Sequence, residues 1–518
     1  MEKKNAVNDG WSFIADYTQQ YCQKGFDDST WEVVDLPHTN VMVSRHYFDE
    51  HSFCFVSTYR KHLHFELPQG YCATLRFEGI ASQAKIYADG VLLCNHKGGY
   101  LPFEVSLGNK SSVFLTIVVD SSEDASFPPF GGGIDYLTFG GIYREVSLFL
   151  HPPQRVLSLL VESQNPEEVR FRGTCISASG LSYTARILDG GNELCRLEDL
   201  LLNDEFDVLI SSLALESWKP ENPKLYTFEL SLENGVTKSV RFGSRSARFS
   251  RDGFYLNGEK RKLIGLNRHQ SYPYVGYAMP ESGQREDAFR LKELGVDLVR
   301  TSHYPQHPSF LDACDELGIL VFEEIPGWQH ISDQQEWRQL CLENVKGMIE
   351  RDFNHPSIIL WGVRINESAD DDELYAKTNA LARKLDPNRQ TGGVRNFVKS
   401  SFLEDVYTYN DFSHDGTNAG LAKKGPICST EKPYLVTEFC GHIYPTKRYD
   451  NPLQRKEHAL RHYRTLDAMF GSEGISGAIG WCMNDYNTHS NFGSGDQVCY
   501  HGVCDQGRAA KLAAYAYM

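Results

Sequence analysis

The clearest copy of the pattern that decides the fold is Phe310-Leu311-Asp312-Ala313-Cys314-Asp315-Glu316-Leu317-Gly318-Ile319-Leu320-Val321-Phe322-Glu323-Glu324. Its first eight residues carry apolar side chains at spacings of three and four, which is typical of an amphipathic helix. Gly318 is a helix stop signal, and the apolar run 319–324 behind it predicts a buried strand. A helix followed directly by such a strand indicates one unit of an α/β fold.

The same alternation runs from residue 248 to the end of the chain. It contains eight candidate strands: 262–268, 298–303, 319–324, 358–365, 390–395, 405–410, 434–439 and 477–483. Amphipathic helices are predicted between several of them, with a final one at the C-terminus: Asp287–Leu294, Phe310–Leu317, Glu336–Phe353, Glu373–Leu385, Lys456–Phe470 and Arg508–Met518. Eight such units in about 250 residues predict a TIM (β/α)8 barrel over 248–518. An open doubly wound sheet is the alternative, but no strand precedes a glycine-rich phosphate-binding motif.

The residues before the barrel have the character of β-sandwiches. Short strand-like runs separated by glycine-rich turns predict a jelly-roll β-sandwich over residues 1–152. His151-Pro152-Pro153 is a candidate linker. The following block, 153–247, has the size of an immunoglobulin-like sandwich, and its Asn234-Gly235 pair predicts a hairpin turn.

Composition restricts the class of protein and its partners. The 518 residues are 41% hydrophobic and 23% charged, which is ordinary for a packed globular chain, and no apolar run is long enough to span a membrane. Lys and Arg number 52 against 68 Asp and Glu, a net charge of −16 that disfavours nucleic acid and anionic membranes as partners. The 13 cysteines lack ligand spacing and predict free thiols. With no apolar stretch behind the basic start, we expect a cytoplasmic protein without a secretory signal.

Catalytic residues of a barrel lie at the carboxyl ends of its strands. The polar residues found there are Asn267-Arg268-His269, Ser302-His303-Tyr304, Glu323-Glu324, Asn366-Glu367, Tyr409-Asn410, Glu438 and Trp481 to Asp485. Glu367 and Glu438 form the sharpest pair, because each ends a strongly apolar strand and strands four and seven lie opposite each other across the mouth. Two carboxyls that face a sugar ring are what glycoside hydrolysis needs.

Other residues leave alternatives open. Glu323 and Glu324 are a rival pair, but neighbours in a strand point to opposite faces, so only one can face the mouth. His269 and His303 lack a third ligand for a metal, which favours hydrogen bonds to substrate or carboxylate and predicts no cofactor. Two arginines, Arg268 and Arg300, either neutralise a buried glutamate or form a structural ion pair. Trp481 either stacks on a sugar or fills the mouth.

Taken in order, these segments resemble glycoside hydrolase family 2. The resemblance rests on Asn267-Arg268-His269, 300–305, 322–328, 355–361 with Asn366-Glu367, and Val436-Thr437-Glu438, together with Asp35-Leu36-Pro37-His38 and 139–146 upstream. It implies a retaining exo-β-glycosidase in which Glu367 is the acid/base and Glu438 the nucleophile. The implied substrate-binding residues are Asn366, His303, His269, Asp135, Trp481, Tyr409, Asn410 and Glu324.

The segments 408–412 and 485–489 look like a bacterial subgroup usually called β-galactosidase, so a β-galactoside is the expected carbohydrate partner. Other family activities, β-glucuronidase and β-mannosidase, are the alternatives. So are a catalytically silent carbohydrate-binding protein and a barrel enzyme that uses Glu323 or Glu324 for other chemistry. For the oligomeric state, a homo-oligomer is one of the alternatives that the sequence leaves open.

Three departures from the family pattern bear on these expectations. No lysine lies between Lys456 and Lys511, where the glucuronidase branch carries one, which argues against glucuronate. Glu324-Ile325-Pro326 replaces the Glu-x-His that holds Mg²⁺ in well-known β-galactosidases. Asp411 follows Asn410 where the family often has its catalytic tyrosine, leaving Tyr407 or Tyr409 as stand-ins.

Overall fold

The computed structural model describes residues 3–415, 418–429, 431–441 and 444–518, with the backbone alone at 414, 415, 418 and 419. Within these ranges, no helix combines the length and the apolar character needed to cross a membrane. All thirteen cysteines are free, as predicted, and nine of them are buried.

Two antiparallel sheets form the first part of the chain. One has the strand order β3-β2-β4-β9-β6-β7 and the other β1-β10-β5-β8. They share a core in which Tyr59 and Ile117 of the first sheet meet Leu75 and Leu148 of the second. A 3₁₀ helix covers Gln19–Cys22. The strands are β1 Lys3–Ala6, β2 Trp11–Ile14, β3 Glu32–Val34, β4 Val56–His64, β5 Cys72–Phe77, β6 Gln83–Ala88, β7 Val91–Lys97, β8 Phe103–Gly108, β9 Ser112–Asp120 and β10 Val146–His151.

A second pair of antiparallel sheets follows, with orders β11-β12-β15 and β14-β13-β16-β17. Phe171 and Phe228 lie in the core between them. The predicted hairpin joins β16 to β17, and Gly235 has a positive φ of 83° that glycine adopts without strain. The strands are β11 Arg155–Asn165, β12 Glu168–Ile176, β13 Ser182–Asp189, β14 Asn192–Leu200, β15 Glu205–Ile210, β16 Tyr226–Leu232 and β17 Thr237–Phe242.

A small antiparallel sheet covers the amino end of the barrel. It consists of β18 Ala247–Ser250, β19 Gly253–Leu256 and β20 Glu259–Arg261. Phe254 and Leu256 pack with Leu298 and Leu320, the first residues of two barrel strands. Apolar packing therefore fills this end of the barrel, and polar chemistry is confined to the other.

The eight predicted strands are confirmed as one closed parallel barrel. Strands and helices of this part are β21 Leu263–Asn267, α1 Glu281–Glu293, β22 Leu298–Arg300, α2 Pro308–Leu317, β23 Leu320–Glu324, α3 Gln335–Asp352, β24 Ile358–Gly362, α4 Asp372–Leu385, β25 Gln390–Arg395, β26 Val406–Asn410, β27 His414–Asp415, β28 Asn418–Ala419, α5 Lys424–Ile427, β29 Tyr434–Glu438, α6 Pro452–Phe470, β30 Gly477–Gly480, β31 Tyr486–Asn487 and β32 Val498–Cys499. The barrel closes between β30 and β21.

The helical layer is less regular than predicted. No helix lies between β25 and β26, and in the described part of the next connection α5 is a single turn. The predicted helix Arg508–Met518 is wrong, because only the 3₁₀ turn Leu512–Ala516 forms there. Arg508 has a positive φ of 66° while its side chain binds Asp287, and Lys511 is drawn into a buried pair with Asp485 at 2.5 Å. These side-chain anchors replace the first turn of a helix.

Strand alternation sorts the barrel side chains into two groups. Leu320 and Phe322 of β23 face the barrel interior with Leu360 and Leu435. Val321, between them, packs against the helices. At the mouth, residues 127–143 of the first sandwich pack against the barrel, where Tyr136 and Phe139 join a cluster with Tyr304 and Trp481. The site is therefore built by both parts of the chain.

Candidate active site

A fully buried guanidinium, that of Arg300 at the end of β22, organises the polar residues at the mouth. It binds both carboxylate oxygens of Glu324, at 2.9 and 2.8 Å. It also donates to Glu438 Oε1 at 2.7 Å and to Asn366 Oδ1 at 2.8 Å. Asn267 Oδ1 accepts a further hydrogen bond from it at 2.9 Å. One cation at the end of β22 thus fixes groups from four other strand ends.

The sharpest predicted pair, Glu367 and Glu438, is linked by two chains of hydrogen bonds, each of which runs from one glutamate to the sequence neighbour of the other. One runs from Glu438 through Arg300 to Asn366, the neighbour of Glu367. The other begins at Glu367 Oε1, which accepts from Asn410 Nδ2 at 2.8 Å. Asn410 Oδ1 in turn accepts from the hydroxyl of Thr437 at 2.9 Å, next to Glu438 in sequence. The structure therefore brings both carboxylates to one mouth.

Three buried side-chain nitrogens at the mouth have no hydrogen-bond partner among the described residues. They are Asn366 Nδ2, His269 Nε2 and Trp481 Nε1. An unpaired buried polar atom costs free energy, and each one in a native structure needs an explanation. Unpaired nitrogens grouped at the open end of a barrel are explained by a polar ligand that forms hydrogen bonds with them.

Aromatic rings surround the two predicted histidines. Trp481 stacks on His303 with the ring centroids 5.2 Å apart, and Tyr486 lies 4.3 Å from His269. Tyr136 of the first sandwich contacts both histidines. The rings form a rigid apolar wall that carries polar atoms at its edges.

Asp135, also from the first sandwich, reaches the same wall. Its carboxylate accepts hydrogen bonds from the hydroxyls of Tyr486 and Thr488, both at 3.1 Å, and lies 3.6 Å from Cys499 Sγ. These three partners belong to the segment after the eighth barrel strand. A loop of one sandwich and a loop of the barrel are therefore fastened together beside the site.

Burial shifts the pKa values of Glu324 and His269 at the mouth. It raises the pKa of Glu324 to about 6, against the opposing effect of Arg300. It lowers the pKa of His269 well below its usual value, and the neighbouring His303 and Arg300 add to this effect. His269 is consequently neutral, so that one of its ring nitrogens is able to donate and the other to accept.

The rival pair separates as strand alternation predicted. Glu324 faces the mouth, with His303 Nδ1 2.8 Å from its Oε1. Glu323 points to the helical layer, where Arg351 lies 3.2 Å from it and burial raises its pKa. Glu323 is thus a structural carboxylate outside the mouth.

The two predicted arginines also differ. Arg300 holds the carboxylates of the mouth, whereas Arg268 turns toward α1 and binds Asp287 Oδ2 at 2.7 Å. Gln284 and Gln306 accept its remaining hydrogen bonds. Arg300 therefore neutralises buried glutamates, which was the first alternative, and Arg268 forms a structural ion pair, which was the second.

The structure does not bring Tyr409 to the mouth. Tyr407 and Tyr409 pack with the cluster between barrel and helices, because Thr408 and Asn410 are the residues of β26 that face inward. Asp411 accepts from the backbone of Ser413 and Ala422 and so shapes the next loop. Neither tyrosine is placed to stand in for the family's catalytic one.

Sequence reasoning missed two residues that contact the site. Gln329 donates to Glu367 Oε2 at 3.1 Å from the loop after β23. Tyr136 lies against His269 and His303 from another part of the chain. The sequence did indicate Tyr136, because this residue directly follows Asp135, which was predicted to reach the site. Gln329 offered no such signal, since a single glutamine in a loop has no distinguishing pattern.

Neither place where a metal could be considered fits one well. The Glu324 oxygens are already bound by Arg300 and His303, and Ile325 and Pro326 add no ligand. Among the side chains described, one group of three has suitable spacing: Asp312, Asp315 and His355. It lies at the other end of the barrel, and its carboxylates are bound by Arg241, His355 and the Ser357 amide.

The matched family model is that of the glycosyl hydrolases family 2 TIM barrel domain, which covers residues 248–517. A β-galactosidase of Thermoanaerobacterium thermosulfurigenes is 47% identical over all of this chain and 76% of its own length. Another β-galactosidase, of Thermoanaerobacter pseudethanolicus, is 43% identical over 98% of this chain and 70% of its own.

Solved structures give the same fold. A β-glucuronidase of Bacteroides uniformis superimposes with a TM-score of 0.86 at 24% identity, over 99% of this chain and 69% of its own. A family 2 β-galacturonidase of Eisenbergiella tayi, bound to galacturonate, gives 0.84 at 25% identity over 100% of this chain and 96% of its own. The three-part architecture and the closed barrel are therefore those of known glycoside hydrolases.

Proposed function

The chain belongs to glycoside hydrolase family 2, and we propose that within this family of β-glycosidases it is a retaining exo-β-galactosidase. The observation that carries the proposal is the pair Glu367 and Glu438, held at one mouth by Arg300 and Asn410. The names of the two sequence relatives support galactose as the sugar.

In the first step, Glu438 attacks the anomeric carbon and Glu367 gives its proton to the glycosidic oxygen. The bond between that oxygen and the anomeric carbon breaks, the alcohol leaves, and an ester joins the sugar to Glu438. In the second step, Glu367 takes a proton from water, whose oxygen attacks the same carbon and releases Glu438. Two inversions give net retention of configuration.

Arg300 would assist both steps without touching the sugar. Its hydrogen bond to Glu438 favours the ionised nucleophile before attack and the ionised leaving group in the second step. It also takes up the Oδ1 atom of Asn366, which leaves the Nδ2 atom of that residue directed to the sugar. A hydrogen bond from Asn366 to the 2-hydroxyl would strengthen as the transition state forms.

Charge favours a neutral sugar over a uronic acid. The Arg300 cation is matched by two carboxylates, Glu324 and Glu438, and His269 is neutral. Among the groups of this cluster, none is a cation left over for a sugar carboxylate. The unpaired side-chain nitrogens of Asn366 and Trp481 are neutral donors suited to hydroxyl groups.

A panel of aryl β-glycosides tests the proposal. We expect the galactoside to be hydrolysed with the highest kcat/KM, ahead of the glucuronide, galacturonide, mannoside, glucoside and glucosaminide. The Glu438→Gln variant should hydrolyse none of them. A uronide hydrolysed in preference would contradict the choice of sugar, and a wild-type protein inactive on the whole panel would contradict the enzyme itself.

A further inference from the structure

One helix of the barrel, α6, exposes large apolar side chains to solvent. Its inner face is buried against the barrel and the C-terminal segment, where His462 Nδ1 lies 2.9 Å from the hydroxyl of Tyr517. On the opposite face, the exposed fractions are 76% for Leu453, 58% for Tyr463 and 53% for Phe470. Single exposed apolar residues are common, but several along one helix face indicate a surface that another protein covers.

The exposed positions of α6 follow the spacing of a seam between packed helices. Successive members are separated by three, four, three, four and three residues: Leu453, Lys456, Leu460, Tyr463, Asp467 and Phe470. Five of these residues are exposed and Leu460 is half-buried. This spacing keeps the side chains in one stripe along the helix, and it is the repeat by which helices pack knobs into holes. We call these six residues the α6 stripe.

The apolar residues of the α6 stripe are complementary to their own reverse order. Two copies of α6 can lie antiparallel about a two-fold axis that passes between positions 461 and 462. In that register Leu453 faces Phe470 of the second copy, and Leu460 faces Tyr463 of the second copy. Each contact then occurs twice, as a two-fold interface requires. Every apolar residue of the stripe therefore meets another apolar residue.

The charged residues of the α6 stripe determine the direction of the two helices. Lys456 and Asp467 form no ion pair with the side chains that the structure describes. In the antiparallel register Lys456 faces Asp467 of the second copy, whereas parallel helices would bring like charges together. Opposite charges across an interface fix its register and orientation, and like charges disfavour the alternative. The stripe therefore favours the antiparallel arrangement.

We propose that the α6 stripe is a dimer interface, through which two copies of this chain associate as antiparallel helices. A second copy fits the stripe because both its apolar and its charged residues match their own reverse order, a symmetry that an unrelated partner does not require. Because α6 runs along the outside of the barrel, the mouths of the two copies would point in opposite directions and remain open. The proposal concerns assembly and does not depend on the proposed function.

Two exposed tyrosines beside the stripe would enlarge the contact. Tyr449 lies just before the helix, and Tyr515 belongs to the 3₁₀ turn that packs on α6. A specific interface buries about 1,000 Å² or more, so these side chains would add to the area that the two helices supply.

A charge exchange tests the dimer and its register together. In sedimentation velocity at about 1 to 100 µM, we expect the wild type to approach twice the 58.7 kDa of one chain. Lys456→Asp and Asp467→Lys each place like charges opposite one another, and each should raise the dissociation constant about tenfold or more. Combining the two substitutions restores opposite charges and should return the dissociation constant to within about threefold of the wild type. Circular dichroism checks that each variant is folded.

An apolar position and a matched control complete the test. Tyr463→Glu should leave a monomer, because it buries a charge in the seam without a partner. Phe289→Glu is the control, since this phenylalanine is exposed on another barrel helix, α1, and it should dimerise like the wild type.

Three results would overturn the proposal: a wild type that stays monomeric, a dimer that the stripe substitutions do not weaken, or a combined charge variant no tighter than the single ones. Should the charge variants fail to fold, Tyr463→Glu against Phe289→Glu decides. All variants should keep the wild-type kcat on an aryl β-galactoside, because α6 lies outside the mouth. A wild type without activity would contradict the proposed function and not the dimer.

Discussion

Two buried arginines, Arg300 and Arg268, lie at the ends of neighbouring barrel strands, and both have no exposed surface. Arg268 binds Asp287 and two glutamines, and Arg508 completes the pairing of Asp287. Arg300 binds Glu324 and Glu438. Both clusters are buried, but the first pairs two arginines with one carboxylate and the second pairs one arginine with two carboxylates.

The clusters differ in what surrounds them. At the mouth around Arg300, the residues Asn366, His269 and Trp481 each leave a buried side-chain nitrogen unpaired among the described residues. The side-chain nitrogens of Arg268, by contrast, all donate to Asp287, Gln284 or Gln306. A buried ion pair therefore points to chemistry only where neighbouring polar atoms await a ligand, and otherwise it is structural.

Removing the charge of one carboxylate in each cluster should give the largest contrast. We expect Glu438→Gln to lower kcat on an aryl β-galactoside by about 10⁴-fold or more, since the nucleophile is lost. We expect Asp287→Asn to leave kcat within about threefold. It should destabilise the fold by about 3–5 kcal/mol, because it leaves buried cations unpaired. Chemical denaturation and initial rates measure both, and an Asp287 variant that folds well but does not turn over would break the comparison.

Exchanging the arginines for lysine should give a smaller contrast. Arg300→Lys keeps the charge but loses the fork that holds two carboxylates at once, and we expect kcat to fall about 10²-fold. Arg268→Lys should lower the melting temperature with kcat nearly unchanged. Circular dichroism and steady-state kinetics check this. Similar kcat losses in both variants would contradict the division of roles.

The unpaired Nδ2 atom of Asn366 predicts the effect of losing a single hydrogen bond to the sugar. Asn366→Ala should lower kcat/KM for an aryl β-galactoside about 10²-fold, because the bond to the 2-hydroxyl is lost. It should have little effect on the corresponding 2-deoxygalactoside, which lacks that hydroxyl. An equal loss on both substrates would show that Asn366 acts through the protein instead.

The smallest expected effect is a pH dependence of stability. The pKa of Glu324 is raised to about 6 in the folded state, so the folded protein binds this proton more tightly than the unfolded chain. The stabilisation is complete below the ordinary pKa and is lost as pH rises through about 6, a fall of about 2 kcal/mol. Glu324→Gln should lack this fall in urea titrations between pH 4 and 7. If the stability of the wild type relative to Glu324→Gln instead rises with pH, the effect of Arg300 on the pKa of Glu324 is larger than that of burial.

The barrel could be predicted from sequence because each of its strands is recognisable from a local run of apolar residues. Runs such as 319–324 and 358–365 are apolar enough to be recognised alone, and strand ends then locate Glu367 and Glu438. The C-terminal helix failed for a physical reason. Arg508 binds Asp287 and Lys511 binds Asp485, and both carboxylates are distant in sequence. The local spacing of apolar residues does not reveal such contacts.

The site divides in the same way. Residues at strand ends were found, whereas the inward or outward direction of Tyr409 depended on a register that the sequence leaves open. Gln329 lies on Glu367 only because a loop turns back across Asn366. Contacts made by loops between separate parts of the chain need the folded structure.

The most direct test of the account is to identify the residue that carries the sugar. Incubation with a 2-deoxy-2-fluoro-galactoside bearing an activated leaving group should trap the ester, because the fluorine slows its hydrolysis. Digestion and mass spectrometry should then place one galactosyl label on Glu438, with none in Glu438→Gln. A label on Glu324 or Glu367, or turnover without any trapped ester, would contradict the assignment of Glu438 as the nucleophile.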